Sequence, residues 1–266
     1  LSDNKVLLRT DPDYGDRLKG MGDTAVVEAM LNGDWELLSS GGFADLWRSS
    51  YVVLQPFEIP FTWRIDRGYD YGSSNPAACL WFAESDGSDF VDAHGNEAWV
   101  PAGTIFIIGE LYFANKRHEG LRLPADEQAR RIKAYEVDEG LQFRTNPGPA
   151  DNSIFTSEPG HTSVAADMSK MGVTFTRSNK APGSRIQGVQ LMRTRLANAV
   201  KRPMENPAIF VFNTCFHTIR TIPNLENDEK KPEDIDTQGE DHIWDVIRYR
   251  LLKSAKAASE TKILGV

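Results

Sequence analysis

The sequence predicts an α/β protein in which helices flank a mixed central sheet. A run near residues 60–66 alternates apolar and polar side chains, which is the period of a half-buried strand. Two further apolar runs, at residues 76–84 and 103–113, are separated by Asp-Gly-Ser and His-Gly-Asn turn sequences, as in an antiparallel meander. Helical and strand patterns then alternate along the rest of the chain, which is typical of an α/β fold.

The remaining elements follow in chain order. Residues 1–50 suggest loops and short helices, with an amphipathic piece at 23–31. A Pro-Ala-Asp-Glu sequence at Pro124 is typical of a helix start. The later predictions are a helix over 124–135, a strand over 141–150, a helix over 161–170, a short strand over 172–176, a helix over 185–200 and a buried strand over 208–212. With the short strand set aside as an insertion, and a closing helix added, the order is β-β-β-α-β-α-β-α.

The closing helix is predicted to carry acids beside its apolar stripe. Thr237 and Glu240 form a Thr-x-x-Glu capping box, which places the helix start there. Asp241 and Asp245 lie four residues apart and therefore share a face, on which His242 could help to hold a divalent cation. Acids at a helix start are also explained by the helix dipole alone. That explanation covers Asp241 in the first turn but not Asp245 one turn later, so Asp245 is the favoured ligand.

Two further acids follow predicted strands. Asp66 ends the hydrophobic run at 60–66, where Gly68 is expected to break the strand. A buried carboxylate is costly unless it is paired or bound to a metal, and pairing with Arg64 or a turn amide is the alternative. Asp151 follows Asn-Pro-Gly-Pro-Ala at the end of a later strand, and an ordinary turn aspartate is its alternative. Glu110 ends the third strand and is interpreted as a surface acid or, less favourably, as a site residue.

Five segments carry a family resemblance in their order and spacing. They are Ile65–Tyr69, Ala77–Phe82, Gly148–Ile154, Arg185–Leu196 and Glu240–Tyr249. Together they resemble the nuclease domain of a tailed-bacteriophage (or prophage) terminase large subunit, the DNA-packaging motor protein. The Asn32-Gly-Asp34-Trp35 sequence is similar to the segment that joins the ATPase half to the nuclease half in that family. The long stretch between Asp66 and Asp151 departs from the family pattern and indicates insertions.

The resemblance implies a ribonuclease H-like fold and a metal-dependent endonuclease. Such an enzyme would cut double-stranded DNA with little sequence specificity during viral genome packaging, by two-metal phosphodiester hydrolysis with Mg²⁺ or Mn²⁺. It implies Asp66 as the bridging ligand, Asp151 on one ion and Asp245 on the other. His242 would position water or shuttle a proton, and a histidine that only helps to pack the helix start is the alternative. Asp241 would be an outer ligand or a capping acid.

The resemblance also implies the organisation and the partners of the chain. Residues 1–50 are expected to be a linker from a preceding ATPase half, 51–256 the nuclease domain and 257–266 a C-terminal tail. The chain begins without Met and carries no phosphate-binding loop of the Gly-x-x-x-x-Gly-Lys type, so we interpret it as part of a longer motor protein. Expected partners are double-stranded DNA, the portal protein and the small terminase subunit, in the bacterial host cytoplasm and away from membranes. Cys79 and Cys215 lie in apolar runs and are expected to be reduced.

Charge is unevenly distributed along the chain. The net charge of −8 argues against a general nucleic-acid binder. Residues 168–204, however, contain eight Lys or Arg and no Asp or Glu, and phosphate contacts need such clustering. Lys180, Arg185, Arg193 and Arg195 are the predicted DNA-backbone contacts, and a solvated helix face is the alternative interpretation.

Two other functional classes remain open from the sequence. A transposase-like or junction-resolving nuclease of the same fold would use the same acids on a different DNA shape, and a resolvase would be a stable dimer. A capsid-docking module without catalysis would carry the acids as structural residues. Metal-dependent cutting of plasmid DNA separates the second class from a nuclease.

Overall fold

The computed structural model describes residues 42–116, 119–157 and 159–264. The amphipathic piece predicted at 23–31 and the Asn32–Trp35 motif lie outside these residues. Within the described ranges, none of the helices has both the length and the apolar character that spanning a membrane requires.

The strands alternate with helices after an initial antiparallel meander. In chain order they are β1 (Val53–Leu54), β2 (Arg64–Asp70), β3 (Ala77–Glu84), β4 (Phe90–Val91), β5 (Glu97–Ala98), β6 (Ile105–Lys116), β7 (Glu119–Gly120), β8 (Thr145–Ala150), β9 (Thr176–Arg177) and β10 (Ile209–Phe212). The helices are α1 (Ser49–Val52), α2 (Ala125–Asp138), α3 (Val164–Lys170), α4 (Ser184–Ala199), α5 (Phe216–Thr221) and α6 (His242–Leu264). Short 3-10 turns span Asn152–Phe155 and Ile222–Asn224.

The main sheet is mixed, as predicted. Its strand order is β1-β10-β6-β3-β2-β8-β9, with β7 paired to β6, while β4 and β5 form a separate hairpin. Strand β3 is antiparallel to β2 and β6, and the pairs β2–β8, β8–β9, β10–β6 and β1–β10 are parallel. Residues 77–83 of β3 are all buried, because both faces of this central strand are covered.

The two faces of β2 contact different helices, because successive side chains of a strand point to opposite faces. Towards α2, the Arg67 guanidinium forms a buried ion pair with Glu136. On the same face, the Tyr69 hydroxyl donates to Gln128 Oε1 at 2.7 Å. The residues that alternate with them along β2, namely Asp66, Gly68 and Asp70, therefore face α6.

Helix α6 runs along β2 in a regular register. The contacts pair Asp70 with His242, Gly68 with Val246 and Asp66 with Arg250. Four residues of helix rise about 6 Å and two residues of strand rise about 6.6 Å, so the two periods match. Gly68 makes this approach possible, since an added Cβ would lie 2.8 Å from Val246 Cγ1.

Several predicted boundaries are corrected by this register. Strand β2 extends to Asp70, so Asp66 does not end it and Gly68 does not break it. The capping box is wrong as well, because α6 begins at His242 and Glu240 instead forms an ion pair with Arg220. The short strand predicted at 172–176 is not an insertion; β9 pairs in parallel with β8 at the sheet edge.

Candidate active site

Asp70 closes β2 and is the acid that the sequence analysis missed. It is buried, and one of its oxygens, Oδ2, lies 3.1 Å from Nδ1 of His242, the first residue of α6. On the neighbouring strand β8, Ala150 pairs with Tyr69, and the Asp151 amide donates to the Tyr69 carbonyl at 3.2 Å. The ends of two parallel strands therefore place Asp70 and Asp151 at the same edge of the sheet, next to the start of α6.

A buried tyrosine links the second strand acid to the helix. The Tyr249 hydroxyl lies 2.9 Å from Asp151 Oδ2 and 3.1 Å from Asp245 Oδ2. Asp151 Oδ1 in turn accepts from the Ser153 amide at 2.7 Å, which caps the 3-10 turn after β8. The predicted association of Asp151, Asp245 and His242 is therefore present, with Asp70 as the third carboxylate.

Burial, together with repulsion between neighbouring carboxylates, raises the pKa values of two acids at the site. Burial raises the pKa of Asp70 to about 6; the bond to His242 opposes this rise, and the charges of Asp245 and Asp151 add to it. Burial also raises the pKa of Asp241 to about 7, again with Asp245 and Asp70 contributing. The four acids thus lie within electrostatic reach of one another, and their negative charge is only partly compensated.

The negative charges of the other two acids, Asp151 and Asp245, are compensated by cationic side chains of the protein. Burial would raise the pKa of Asp151, but the Lys180 ammonium, which forms an ion pair with it, and the Ser153 amide hold that pKa at about 2. Asp245 Oδ1 accepts from the buried Arg248 guanidinium at 2.8 Å. Burial would lower the pKa of His242, but its bond to Asp70 raises that pKa above the ordinary value.

The donor set fits a hard divalent cation. Asp70, Asp151, Asp241 and Asp245 offer carboxylate oxygens, the ligands that Mg²⁺ and Mn²⁺ prefer. Within the described ranges, however, no three candidate donors already converge as a metal cage. Asp151 and Asp245 are instead engaged with Lys180, Arg248 and Tyr249. A bound cation would therefore have to compete with Lys180 and draw the carboxylates together.

Asp66 does not join this cluster. It lies four residues before Asp70, which is about 13 Å along a strand. Its carboxylate is fully buried and accepts from Arg250 Nε at 2.6 Å, with Lys253 Nζ at 3.5 Å and Arg64 Nε at 3.6 Å. The pairing alternative raised for Asp66 therefore describes its surroundings, and the acid of β2 that lies beside Asp151 is Asp70.

Asp245 and Asp241 lie closer to the start of α6 than the capping box implies. Asp245 lies in the first turn of the helix, so the dipole argument applies to it as well. Asp241 immediately precedes the helix, and its carbonyl accepts from the Asp245 amide at 2.8 Å. What distinguishes Asp245 is its contact with Tyr249, which places it beside Asp151.

Of the four predicted DNA contacts, the structure places one at the acid cluster and three in contacts elsewhere in the protein. Lys180 lies at the acid cluster, whereas Arg185 Nε is bound to Asp234 Oδ2 at 2.7 Å. Arg193 forms a two-pronged ion pair with an exposed aspartate, Asp45, at 2.5 and 2.9 Å. Arg195 donates to the backbone carbonyls of residues 103 and 208 at 2.8 and 3.1 Å, so it supports the fold locally.

Glu110 is neither a site residue nor a free surface acid. Its oxygens accept from the backbone amides of His217 and Thr218 at 2.6 and 2.9 Å, and from the Thr218 hydroxyl at 2.8 Å. The side chain thereby caps the start of α5. Burial raises its pKa, although these hydrogen bonds oppose that rise.

Solved structures share this architecture. No protein-family model and no curated protein matches the sequence. The large terminase of a thermophilic bacteriophage matches 89% of this chain at 16% identity with a TM-score of 0.55, or 0.56 in its complex with ADP. The P22 large terminase nuclease domain matches 81% of this chain and 92% of its own length at 16% identity, with a TM-score of 0.52.

The likeness establishes the fold. The chain has the ribonuclease H-like fold of large-terminase nuclease domains, which confirms the fold class and the resemblance inferred from the motifs. It spans about half the length of the thermophilic bacteriophage's large terminase, of which 51% is covered.

Proposed function

We propose that the chain is a metal-dependent endonuclease that cuts double-stranded DNA during phage genome packaging. The observation that carries the proposal is the gathering of Asp70, Asp151, Asp241 and Asp245 where β2, β8 and α6 meet. The uncompensated charge there favours a divalent cation. The fold shared with the thermophilic bacteriophage's large terminase and with the P22 nuclease domain supports the same assignment.

Three of the acids are the proposed metal ligands. Asp70 takes the central role that the motif resemblance gave to Asp66, because it ends the strand beside Asp151 and contacts His242 at the start of α6, and because the charges of Asp245 and Asp151 contribute to its raised pKa. Asp241 serves as an outer ligand. Two Mg²⁺ or Mn²⁺ ions, when bound, would activate a water molecule and neutralise charge at the phosphorus.

His242 and Tyr249 position these acids. His242 Nδ1 is engaged by Asp70, which leaves Nε2 to hold a water molecule or to take its proton. The Tyr249 hydroxyl keeps Asp151 and Asp245 at a fixed separation. Lys180 compensates the charge of Asp151, and a bound cation that displaced it would free an ammonium group for a DNA phosphate.

The remaining parts of the proposal concern the substrate and the assembly. Cleavage by groups that contact phosphate rather than base edges has little sequence preference, so we propose cutting of double-stranded DNA with little sequence specificity. We propose the portal protein and the small terminase subunit as partners of the complete motor.

Plasmid cleavage tests the proposal directly. The chain should nick and linearise supercoiled plasmid in Mg²⁺ or Mn²⁺, and a chelator should abolish the reaction. Asp151→Asn should lose at least about 10³-fold in rate, because one ligand supplies several kcal/mol of transition-state stabilisation. Asp167→Asn is the matched control, since Asp167 is partly exposed on α3 and pairs with Lys170 away from the cluster.

Two results would overturn the assignment. Cutting that persists in chelator would exclude a metal-dependent mechanism. Binding without any cutting, in every divalent metal tested, would instead favour a docking module. Equal loss in Asp151→Asn and Asp167→Asn would show that the assay reports folding rather than chemistry, and melting curves of both variants check this.

A further inference from the structure

Lys180 reaches the candidate site from the connection between β9 and α4. Its ammonium forms an ion pair with Oδ2 of Asp151 and lies 5.6 Å from the ring centroid of Tyr249, a residue of α6. Because α6 covers the face of β2 that carries Asp70, these contacts place the ammonium on the same side of the sheet as the acids. The Lys180 side chain is 40% exposed, so it enters the site from solvent.

The backbone next to Lys180 is anchored, whereas its side chain is long and partly exposed. The Ser178 amide donates to the Ala150 carbonyl at 3.1 Å, and the Asn152 side chain donates to the Ser178 carbonyl at 3.2 Å. Ser178 is therefore bound in both directions to the segment that carries Asp151. A lysine ammonium stands on a flexible four-carbon stem, so from this anchored backbone it can bind different acceptors at the site.

Both oxygens of Asp151 are engaged within the protein. Oδ1 accepts from the Ser153 amide at 2.7 Å. Oδ2 is shared by the Lys180 ammonium and the Tyr249 hydroxyl, which lies 2.9 Å away. A divalent cation that used Oδ2 would meet the positive charge of Lys180 on the same oxygen, and like charges repel. Lys180 and such a cation therefore compete for Asp151.

Arg248, another cation at the site, is held much more firmly. It donates to Asp245 on the same helix, and its side chain is 4% exposed. Its aliphatic part packs against Gly188 of α4, where an added Cβ would lie 2.5 Å from Arg248 Cγ. Arg248 is therefore confined between two helices. Of these two side chains, Lys180 is the one that can exchange its carboxylate for another partner.

We propose that Lys180 couples metal binding to DNA binding at this site. The inference rests on the proposed nuclease function and adds a form of regulation to it. Lys180 binds Asp151 until a divalent cation takes that carboxylate, and it then turns to a backbone phosphate of the DNA, which offers a charge-assisted hydrogen bond. A phosphate that draws Lys180 away likewise frees Asp151 for the cation. The coupling is reciprocal, so each ligand tightens the binding of the other by the same factor.

DNA binding without cleavage tests the coupling. A short fluorescent duplex is titrated with the wild type, Lys180→Met and Lys180→Arg, in chelator and in Ca²⁺, which binds carboxylate oxygens. Gel analysis checks that the duplex stays intact. Lys180→Met should weaken DNA binding about tenfold more in Ca²⁺ than in chelator, because the wild-type ammonium is free for phosphate only when the cation holds Asp151. Lys180→Arg keeps the charge and should retain most of that difference.

Calorimetric titration with Ca²⁺ measures the same coupling from the other side. Without DNA, Lys180→Met should bind Ca²⁺ about tenfold more tightly than the wild type, because the ammonium no longer competes for Asp151. With the duplex bound, the two proteins should have nearly equal affinity for Ca²⁺. Lys170→Met is the matched control, since Lys170 belongs to the same basic stretch but lies on α3 and pairs with Asp167. It should behave as the wild type in both titrations.

The outcomes separate this inference from the nuclease proposal. Equal weakening by Lys180→Met in chelator and in Ca²⁺ would make Lys180 a permanent DNA contact and overturn the coupling, as would unchanged binding in both. Equal shifts in Lys170→Met would assign them to net charge and overturn it too. These results would leave plasmid cleavage by the wild type unexplained by nothing but the acids, so the nuclease proposal would stand. A coupling confined to Lys180 would support the inference even if no divalent metal yields cleavage, in which case the nuclease proposal alone fails.

Discussion

Replacing Asp70 and Asp66 by asparagine, one at a time, distinguishes a buried acid whose charge is poorly compensated from one that is held in an ion pair. Burial and its acidic neighbours raise the pKa of Asp70 from 3.8 to about 6. A raised carboxyl pKa makes the folded state bind the proton more tightly, so the ionised side chain destabilises the fold above pH 6 and has no such effect below pH 4. The shift of about two units corresponds to about 3 kcal/mol at pH 8.

The two variants should therefore move stability in opposite directions. Asp70→Asn removes that penalty but also weakens the bond to His242, which contributes about 1 kcal/mol, so a net gain of about 2 kcal/mol is expected at pH 8 in chelator. Asp66→Asn leaves the buried Arg250 guanidinium with less compensation, which costs about 3 to 5 kcal/mol. In melting temperature this is a rise of about 5 °C for the first variant and a fall of about 10 °C for the second.

Cleavage should rank the variants the other way. Thermal melting in chelator and plasmid cleavage at saturating Mn²⁺ are measured on the same preparations. Asp70→Asn is expected to be the more stable protein with almost no activity, whereas folded Asp66→Asn, assayed well below its melting temperature, retains cleavage. An inactive Asp66→Asn of wild-type stability, alongside an active Asp70→Asn, would refute the placement of the ligand at the end of β2.

Three further outcomes are expected. Asp245→Asn should lose nearly all cleavage at saturating Mg²⁺ and Asp241→Asn much less, because only Asp245 is linked to the second strand acid; kinetics of both variants, with melting curves, check the ranking. Gly188→Ala should lower stability by about 1 to 3 kcal/mol in chemical denaturation, since its new Cβ would lie 2.5 Å from Arg248 Cγ, whereas a variant of unchanged stability would show that α4 and α6 separate freely. In chelator, stability should fall as pH rises from about 4 to 7, because the raised pKa values of Asp70 and Asp241 favour protonation of the folded state, and a flat profile would contradict that charge balance.

Local pattern was sufficient for most of the architecture. The meander of β2, β3 and β6 was predictable because alternation and turn residues are local properties, and the structure confirms it. The helix over 185–200 corresponds closely to α4 at Ser184–Ala199 for the same reason. Boundaries failed where a distant residue decided the outcome. Glu240 fits a capping box in sequence, but Arg220, twenty residues earlier, binds its carboxylate.

The proposed ligand Asp70 had a local signal in the sequence that was misinterpreted. Asp66, Gly68 and Asp70 share one face of a strand, and that strand ends only at Asp70. Gly68 was taken as a breaker, although its role is to admit Val246 at close range. Which of two acids on that face lies beside Asp151 depends on the register of β2 against β8, and register is set by pairing and packing rather than by composition.

The basic stretch shows a second limit of composition. Counting eight cations between residues 168 and 204 indicates a binding surface, but most of those side chains are engaged within the protein. Arg195, for example, supports backbone carbonyls and contributes no free charge. Pairing partners lie as far as 148 residues away in sequence, as for Arg193 and Asp45, so no local window could identify them.

The contrast between the two ends of the β2–α6 contact explains why the site lies where it does. At one end, Asp66 and Glu84 are both bound by Arg250, and the charges are balanced within the protein. At the other end, burial raises the pKa values of Asp70 and Asp241 well above normal, and His242 and Arg185 offset that rise only in part. The same strand and helix therefore carry a charge-balanced ion cluster at one end and an excess of negative charge at the other. Uncompensated negative charge on buried carboxylates destabilises the fold, and a bound cation would remove that cost. The end that carries Asp70 is therefore the end expected to bind a cation.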